Sequence, residues 1–207
     1  MYNYHIDIKR VNILNNKIIL FINRVAQYTT AGFYFWMFLF RGGLVYGLVP
    51  AGIGLIHSIE SIHNEVEYSI RIAFEEAYQK HKDNKLLSFV VFFLTVISLV
   101  SVYYSLIAVS PVLGFFQFPL VFFTFFAWIY YIYCLYFLAD PPRGNGEKKW
   151  IYALAFDTCI RRFFNSIIIL ATLIAISFLV RINLLVFIFF APPLTIFLTK
   201  YIVPKVK

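Results

Sequence analysis

The sequence predicts an all-α fold: a polytopic membrane bundle of repeated helical hairpins with amphipathic cytoplasmic helices. Three observations predict it. First, the run Leu86–Ala139 contains no Asp, Glu, Lys, Arg or His. A spanning helix needs about 20 apolar residues, so the run holds two spans. Ser110, Pro111, Gly114, Gln117 and Pro119 supply the turn between them. Second, 61% of the 207 residues are hydrophobic and only 14% are charged, too few charges to clothe a soluble domain. Third, the charged segments between the apolar runs carry apolar residues at helical spacing, the pattern of helices lying on a membrane surface. No polar stretch is long enough for a soluble domain. Residues 1–207 therefore form a single membrane domain, with an N-terminal helix and first hairpin at 11–62 and further units at 66–138 and 150–203.

The elements follow in order. Val11, Leu14, Ile18, Phe21, Ile22 and Val25 share one helical face, and Asn12, Asn16, Lys17, Asn23, Arg24 and Gln27 occupy much of the other. This amphipathic helix reads either as a surface helix or as one packed at the edge of the bundle. Thr29–Phe40 begins the first membrane segment, and Arg41-Gly42-Gly43 interrupts it. Leu44–Ile56 is short and carries Pro50, so it reads as a kinked span or a re-entrant segment. A charged helical linker follows over His57–Lys85. Leu86–Val109 and Pro119–Leu138 are strong spans. Asp140-Pro141-Pro142-Arg143-Gly144-Asn145-Gly146 breaks the chain. Trp150–Phe163 returns as an amphipathic helix, Asn165–Val180 spans, and Leu184–Ile202 spans last, bent by Pro192-Pro193.

Orientation follows from Lys and Arg, which concentrate in cytoplasmic loops. With both termini inside and six crossings, all of the 18 basic residues except Arg41 and Arg181 fall inside. Five crossings would strand Lys9, Arg10, Lys17 and Arg24 outside, so an even count or a re-entrant second segment fits better. The expected location is the bacterial plasma membrane, with the lipid bilayer as the first partner. The net charge of +8 then marks the cytoplasmic face and implies no nucleic acid. Met1–Lys17 is polar, contains Asp7 and lacks the features of a cleaved signal peptide. Cys134 and Cys159 have no disulfide or zinc spacing and read as free thiols.

An internal repeat is visible. Ala73-Phe74-Glu75 and Ala155-Phe156-Asp157 open two units at one constant offset. Each continues through a basic cluster (Lys80 and Lys82; Arg161 and Arg162) and Asp83-Asn84 or Asn165-Ser166 into a hydrophobic hairpin. Parallel repeats of this kind occur in transporter folds.

Candidate sites are few. Gly43, Gly47 and Ala51 recur every four residues beside Pro50, a spacing that lets helices approach closely, inside the bundle or against another subunit. Arg41 lies between apolar segments, as an intramembrane polar site or an interfacial side chain reaching the headgroups. His57, Glu60 and His63, with Glu67, have metal-compatible side chains, but three-residue steps drift around a helix and a polar face explains them better. The apolar stripes Ile70, Ala73, Phe74, Ala77, Tyr78 and Phe156, Ile160, Phe163 suit a membrane surface or a cytoplasmic partner. No phosphate loop, nucleophile elbow or intramembrane carboxylate pair occurs, so neither an enzyme nor a cofactor is expected.

The stretch Phe40–Ala51, FRGGLVYGLVPA, resembles the N-terminal signature of the YesL-like family, bacterial membrane proteins whose shared domain has no assigned activity. Tyr46-Gly47-Leu48-Val49-Pro50-Ala51 matches its Gly-hydrophobic-Pro-Ala element, and the linker helix with Ala73-Phe74 and Tyr78 ahead of a long span pair is similar too. The sequence departs from the family over Gly52–Ile62, which carries His57 and Glu60 and no Lys or Arg. The resemblance implies a non-enzymatic accessory of carbohydrate uptake, associated with the permease subunits of an oligosaccharide ABC-type importer, and the Gly47, Pro50 and Ala51 element as a packing feature; the spacing of Gly43, Gly47 and Ala51 beside Pro50 makes the same stretch a candidate docking face. A small stand-alone transporter or channel built on the repeat is the alternative. It predicts a polar cavity between the two hairpins, near Thr95, Ser98, Ser101, Thr124, Thr172 and Ser177.

Overall fold

The computed structural model describes residues 2–64, 69–108, 111–142 and 147–204, and these are helical apart from short connections. The order is α1 (Tyr2–Arg41), α2 (Leu48–His63), α3 (Ile70–His81), α4 (Lys85–Ala108), α5 (Pro111–Ala139), α6 (Lys148–Arg161), α7 (Phe163–Ser177), α8 (Leu179–Ile182) and α9 (Leu184–Thr199). Three stretches are long and apolar enough to cross a membrane: Lys85–Ser105, Gln117–Ala139 and Phe163–Ile182. Leu184–Thr199 is a shorter apolar helix.

The first segment departs from expectation. The amphipathic helix and the start of the first membrane segment are one continuous helix, α1. Nothing in Ile18–Phe40 breaks it, because Gly32 is a lone glycine and Pro is absent. Ile18, Phe21, Ile22 and Val25 are exposed, so this half of α1 does not pack against the bundle, which removes the bundle-edge reading. The side chains of Val11, Leu14, Asn12 and Asn16 lie outside the described residues.

Helix α2 is the hub. Its first half, residues 48–56, is wholly apolar, and such a segment must be buried. Neighbours α1, α3, α4, α5 and α9 surround it, and Val49, Ala51, Ile53 and Ile59 are wholly enclosed. Pro50 stands in its first turn, where the missing N–H costs nothing, so no kink arises there. The free Val49 N–H is capped instead by Ser88 Oγ of α4 at 3.1 Å. The turn before α2 folds back sharply. Gly43 and Leu44 both take left-handed backbone conformations (φ 66° and 63°), and Gly42 lies against the Gly47 backbone.

Helices α4 and α5 pack together along their length, joined by Trp128 Nε1 donating to Thr95 Oγ1 at 2.9 Å and by the Ser98–Thr124 hydroxyl pair. Helices α7 and α9 pack together likewise. Asn183 caps α9, its carboxamide oxygen accepting from the Leu185 and Val186 N–H groups. Pro119, Pro192 and Pro193 sit inside helices that continue through them.

Candidate functional site

The two prolines of α9 create the first element of the site. Proline has no N–H, so Pro192 and Pro193 leave the carbonyls of Ile188 and Phe189 without their helical donors. Helix α1 meets both. Trp36 Nε1 donates to the Ile188 carbonyl at 2.6 Å. Gly32 brings the α1 backbone so close to the Phe189 carbonyl that a Cβ there would stand 2.0 Å from the oxygen. Tyr28 then packs edge-on to Phe197, further along α9.

Beside this contact lies a cavity of about 770 Å³ between the α4–α5 and α7–α9 pairs. Its floor is Leu48 and Gly52 of α2 with Tyr131 and Leu135 of α5, and Trp36 and Leu39 of α1 close one side. Glycine is required at position 52, where a Cβ would meet the Leu135 methyls and the Tyr131 hydroxyl at 2.6–2.9 Å.

Sequence reasoning placed a cavity between these pairs and expected polar walls. Four of the six hydroxyls it named do line the cavity: Thr95, Ser98, Thr124 and Ser177. Ser101 and Thr172 do not. The walls are nevertheless apolar, because each polar lining group spends its donor inside the protein. Thr95 donates to the Val91 carbonyl, Ser177 to Ile174 and Thr195 to Ala191. Ser98 and Thr124 share a hydrogen bond, and Thr124 also lies within reach of the Leu94 and Leu120 carbonyls. Tyr131 donates to the Leu48 carbonyl at 2.7 Å, and Trp36 and Trp128 are committed as described. Helical hydroxyls routinely bond back to the carbonyl four residues earlier, so counting hydroxyls overstated the polarity. The sequence reading missed Trp36, Tyr131 and Thr195. The Pro192-Pro193 pair was the available signal for Trp36, since freed carbonyls call for an outside donor.

Gly47 and Ala51 are buried within the chain itself. Gly47 packs on the Leu39 backbone, and Gly54 faces Phe74. Gly47 and Ala51 thus serve internal packing, while Gly43 meets open space.

Arg41 is not isolated on a face of its own. Its guanidinium pairs with both carboxylate oxygens of Glu75 on α3 at 3.0 Å and lies over the rings of Phe38 and Tyr78, 5.4 and 4.9 Å from their centroids. Lys85 Nζ stands 5.9 Å from the Tyr46 ring centroid. Arg41 therefore belongs beside the α3–α4 junction and its basic residues, not across the bundle from them as the six-crossing count requires. The cause is the tight turn after α1, which keeps α2 alongside α3.

His57, Glu60 and His63 diverge. His57 faces the charged residues of α3, while His63 packs edge-on to Tyr201 beyond α9. Glu67 lies outside the described residues. Among the described residues, no group of three His, Cys, Asp or Glu side chains is placed to hold a metal ion. His81, at the end of α3, is buried and bonds with Asn84 Nδ2 at 3.3 Å. Burial, reinforced by Lys80, pushes its imidazole down to about 4. Cys134 and Cys159 are free and buried.

The two amphipathic stripes differ. On α3, Ala73, Phe74 and Ala77 are buried against α1 and α2, so this stripe is occupied by the protein itself. At α6, Phe156 and Ile160 are exposed, as is Phe163 just beyond, beside the exposed Arg161 and Arg162. No family model, curated protein or solved structure matches the chain.

Proposed function

We propose that this chain is a non-catalytic, multi-pass protein of the bacterial plasma membrane that binds an apolar molecule in the cavity between its two helix pairs. The observation that carries the reading is the chemistry of the cavity wall: space for a ligand, with every polar lining donor already committed. An oligosaccharide needs donors for its many oxygens, and the polar lining groups have already spent theirs. We count four full crossings, by α4, α5, α7–α8 and α9, with both termini cytoplasmic and α1 entering the membrane alongside α9. Helix α2 carries His57, Glu60 and His63 in its second half, whereas α9 carries no charged residue, so α2 is not counted as a full crossing. Arg181 is then the one basic residue of the 18 outside the cytoplasmic face.

The test is thermal unfolding of the protein in lipid nanodiscs with three additives: a long-chain alkane, a maltose-type oligosaccharide and a panel of monovalent salts. A bound ligand stabilises by RT ln(1 + [L]/Kd), so only the alkane is expected to raise Tm. A saturable rise with the oligosaccharide and none with the alkane refutes the reading.

A second reading, the importer accessory, is favoured by α6. Its exposed Phe156 and Ile160, flanked by Arg161 and Arg162, suit the cytoplasmic face of a partner permease as well as a headgroup layer. Co-purification in mild detergent tests it. A protein that elutes alone, with oligosaccharide uptake intact after its deletion, removes this reading without touching the first.

A further inference from the structure

We infer that the occupant of the cavity is a single long hydrocarbon chain of a lipid, inserted sideways from the bilayer through a gap between α4 and α7. The inference rests on the apolar-ligand reading above and names the ligand's class and route.

The gap comes first. Helix α4 packs on α5 and α2, and no comparable packing joins it to α7 or α9. The cavity fills that separation. Leu99 and Val102 of α4 and Leu173 and Ile174 of α7 line it from opposite sides. Leu99 is 65% exposed and Ile174 40% exposed, so these lining residues also stand on the outer surface. The cavity is therefore open at their level. Both residues lie inside the apolar stretches Lys85–Ser105 and Phe163–Ile182. Leu99 is 14 residues from Lys85, or about 21 Å at 1.5 Å per residue. That depth is well inside a hydrocarbon layer of about 30 Å. What faces such an opening is lipid tail, not water.

Shape narrows the class. The lining residues of α5 run from Val121 to Leu135, also about 21 Å along the helix axis. The tails of one leaflet occupy only about 15 Å. An elongated slot longer than one leaflet suits a long chain lying along the helices better than a compact solute. Its volume of about 770 Å³ is within the range of about 300–1,000 Å³ common for ligand sites. Each buried CH2 contributes about 0.8 kcal/mol only when it leaves water. A chain leaving the bilayer gains nothing from that term, so retention must come from close packing against the aromatic and aliphatic walls.

The protein carries its own probe. Trp36 and Trp128 line the cavity and Trp150 does not. A Trp36→Phe, Trp150→Phe double variant leaves Trp128 as the single emitter, because the chain has 3 Trp. Chain-brominated lipids quench tryptophan on contact. The variant is reconstituted in vesicles of unbrominated phosphatidylcholine, and brominated phosphatidylcholine or a brominated free fatty acid is titrated in separate arms. The expected result is quenching that saturates at a small fraction of brominated chains, and that falls at least threefold when Val121→Phe fills the slot. The arm with the lower saturation point identifies the source as a membrane phospholipid or a free acid. Quenching that rises only with the bulk fraction of brominated lipid, equally with and without Val121→Phe, identifies ordinary contact with the bilayer and overturns the inference. So does no quenching in either arm, with the variant folded by far-UV circular dichroism. In both cases an alkane-induced rise in Tm still leaves the apolar-ligand reading standing, so the two failures are distinguishable.

Discussion

Replacing Trp36 by Phe tests whether α9 depends on α1 for a hydrogen bond that its own backbone cannot make. The ring stays and the indole N–H is lost, so the Ile188 carbonyl, already without a helical donor because of Pro192, is left unpaired. An orphaned buried carbonyl costs about 1–3 kcal/mol in a soluble protein. Interhelical hydrogen bonds within membranes average about 0.6 and reach about 1.7 kcal/mol. Trp36 is half-buried and its bond is short at 2.6 Å, so about 1–1.5 kcal/mol is expected for Trp36→Phe. The decisive variant is Pro192→Ala, which restores an N–H that can bond to the Ile188 carbonyl in the ordinary α-helical way. In that background Trp36→Phe should cost less by about 1 kcal/mol, a coupling well above the usual additivity error of about 0.3–0.5 kcal/mol. The assay is a double-mutant cycle of unfolding free energies in mixed micelles. Equal costs of Trp36→Phe in the two backgrounds refute the argument that the indole substitutes for the missing helical donor.

Other outcomes follow from the same contacts. Gly32→Ala drives a Cβ into the Phe189 carbonyl and should cost about 2–3 kcal/mol by overpacking. Gly43→Ala meets open space but a φ of 66° and should cost only about 1–2 kcal/mol. A smaller loss for Gly32→Ala than for Gly43→Ala, read from the same denaturation curves, contradicts the close approach of α1 and α9. His81 is neutral in the fold down to about pH 4, whereas the unfolded chain takes up its proton near 6.5. Its contribution is thus intact above about pH 6.5 and lost progressively as pH falls toward 4. Melting curves from pH 7.5 to 4.5 should flatten in His81→Asn, and an unchanged pH slope refutes the assignment. Glu75→Gln removes a half-exposed ion pair and should cost under about 1 kcal/mol. Arg41→Gln also forfeits the contacts over Phe38 and Tyr78 and should cost about 0.5–1 kcal/mol more. Equal losses in chemical denaturation indicate that the rings contribute nothing.

The helices were legible in the sequence wherever one signal dominated. The uncharged run Leu86–Ala139 marked α4 and the end of α5 closely, but Pro111, Gly114, Gln117 and Pro119, read as the turn, lie within the first part of α5. The breakers at 140–146 and Asn183 bounded the last units, because caps and prolines act locally. The placement of α2 was not legible. Its apolar first half is equally suited to lipid and to protein, and only its neighbours distinguish the two. Arg41 was misplaced for the same reason, since a count of charges across a membrane depends on which apolar segments cross. The site was half legible. The transporter alternative expected a cavity between the hairpins, and four of its six hydroxyls line one, but the partner of each hydroxyl is set by geometry in three dimensions.

The enclosure of α2 has a consequence for synthesis. Leu48–His63 leaves the ribosome long before α9, which ends at Thr199 and supplies part of its surroundings. At about 5–20 residues per second, that interval is on the order of 10–30 s. Throughout it, a helix whose first half is wholly apolar has no complete set of neighbours. The Arg41–Glu75 pair and the buried α3 stripe involve only residues made by position 81, so α1, α2 and α3 can shelter one another as an early unit. The last helix then closes over a subassembly that has already waited, and a chain truncated before α9 should be recognised by proteases through α2 rather than through its spans.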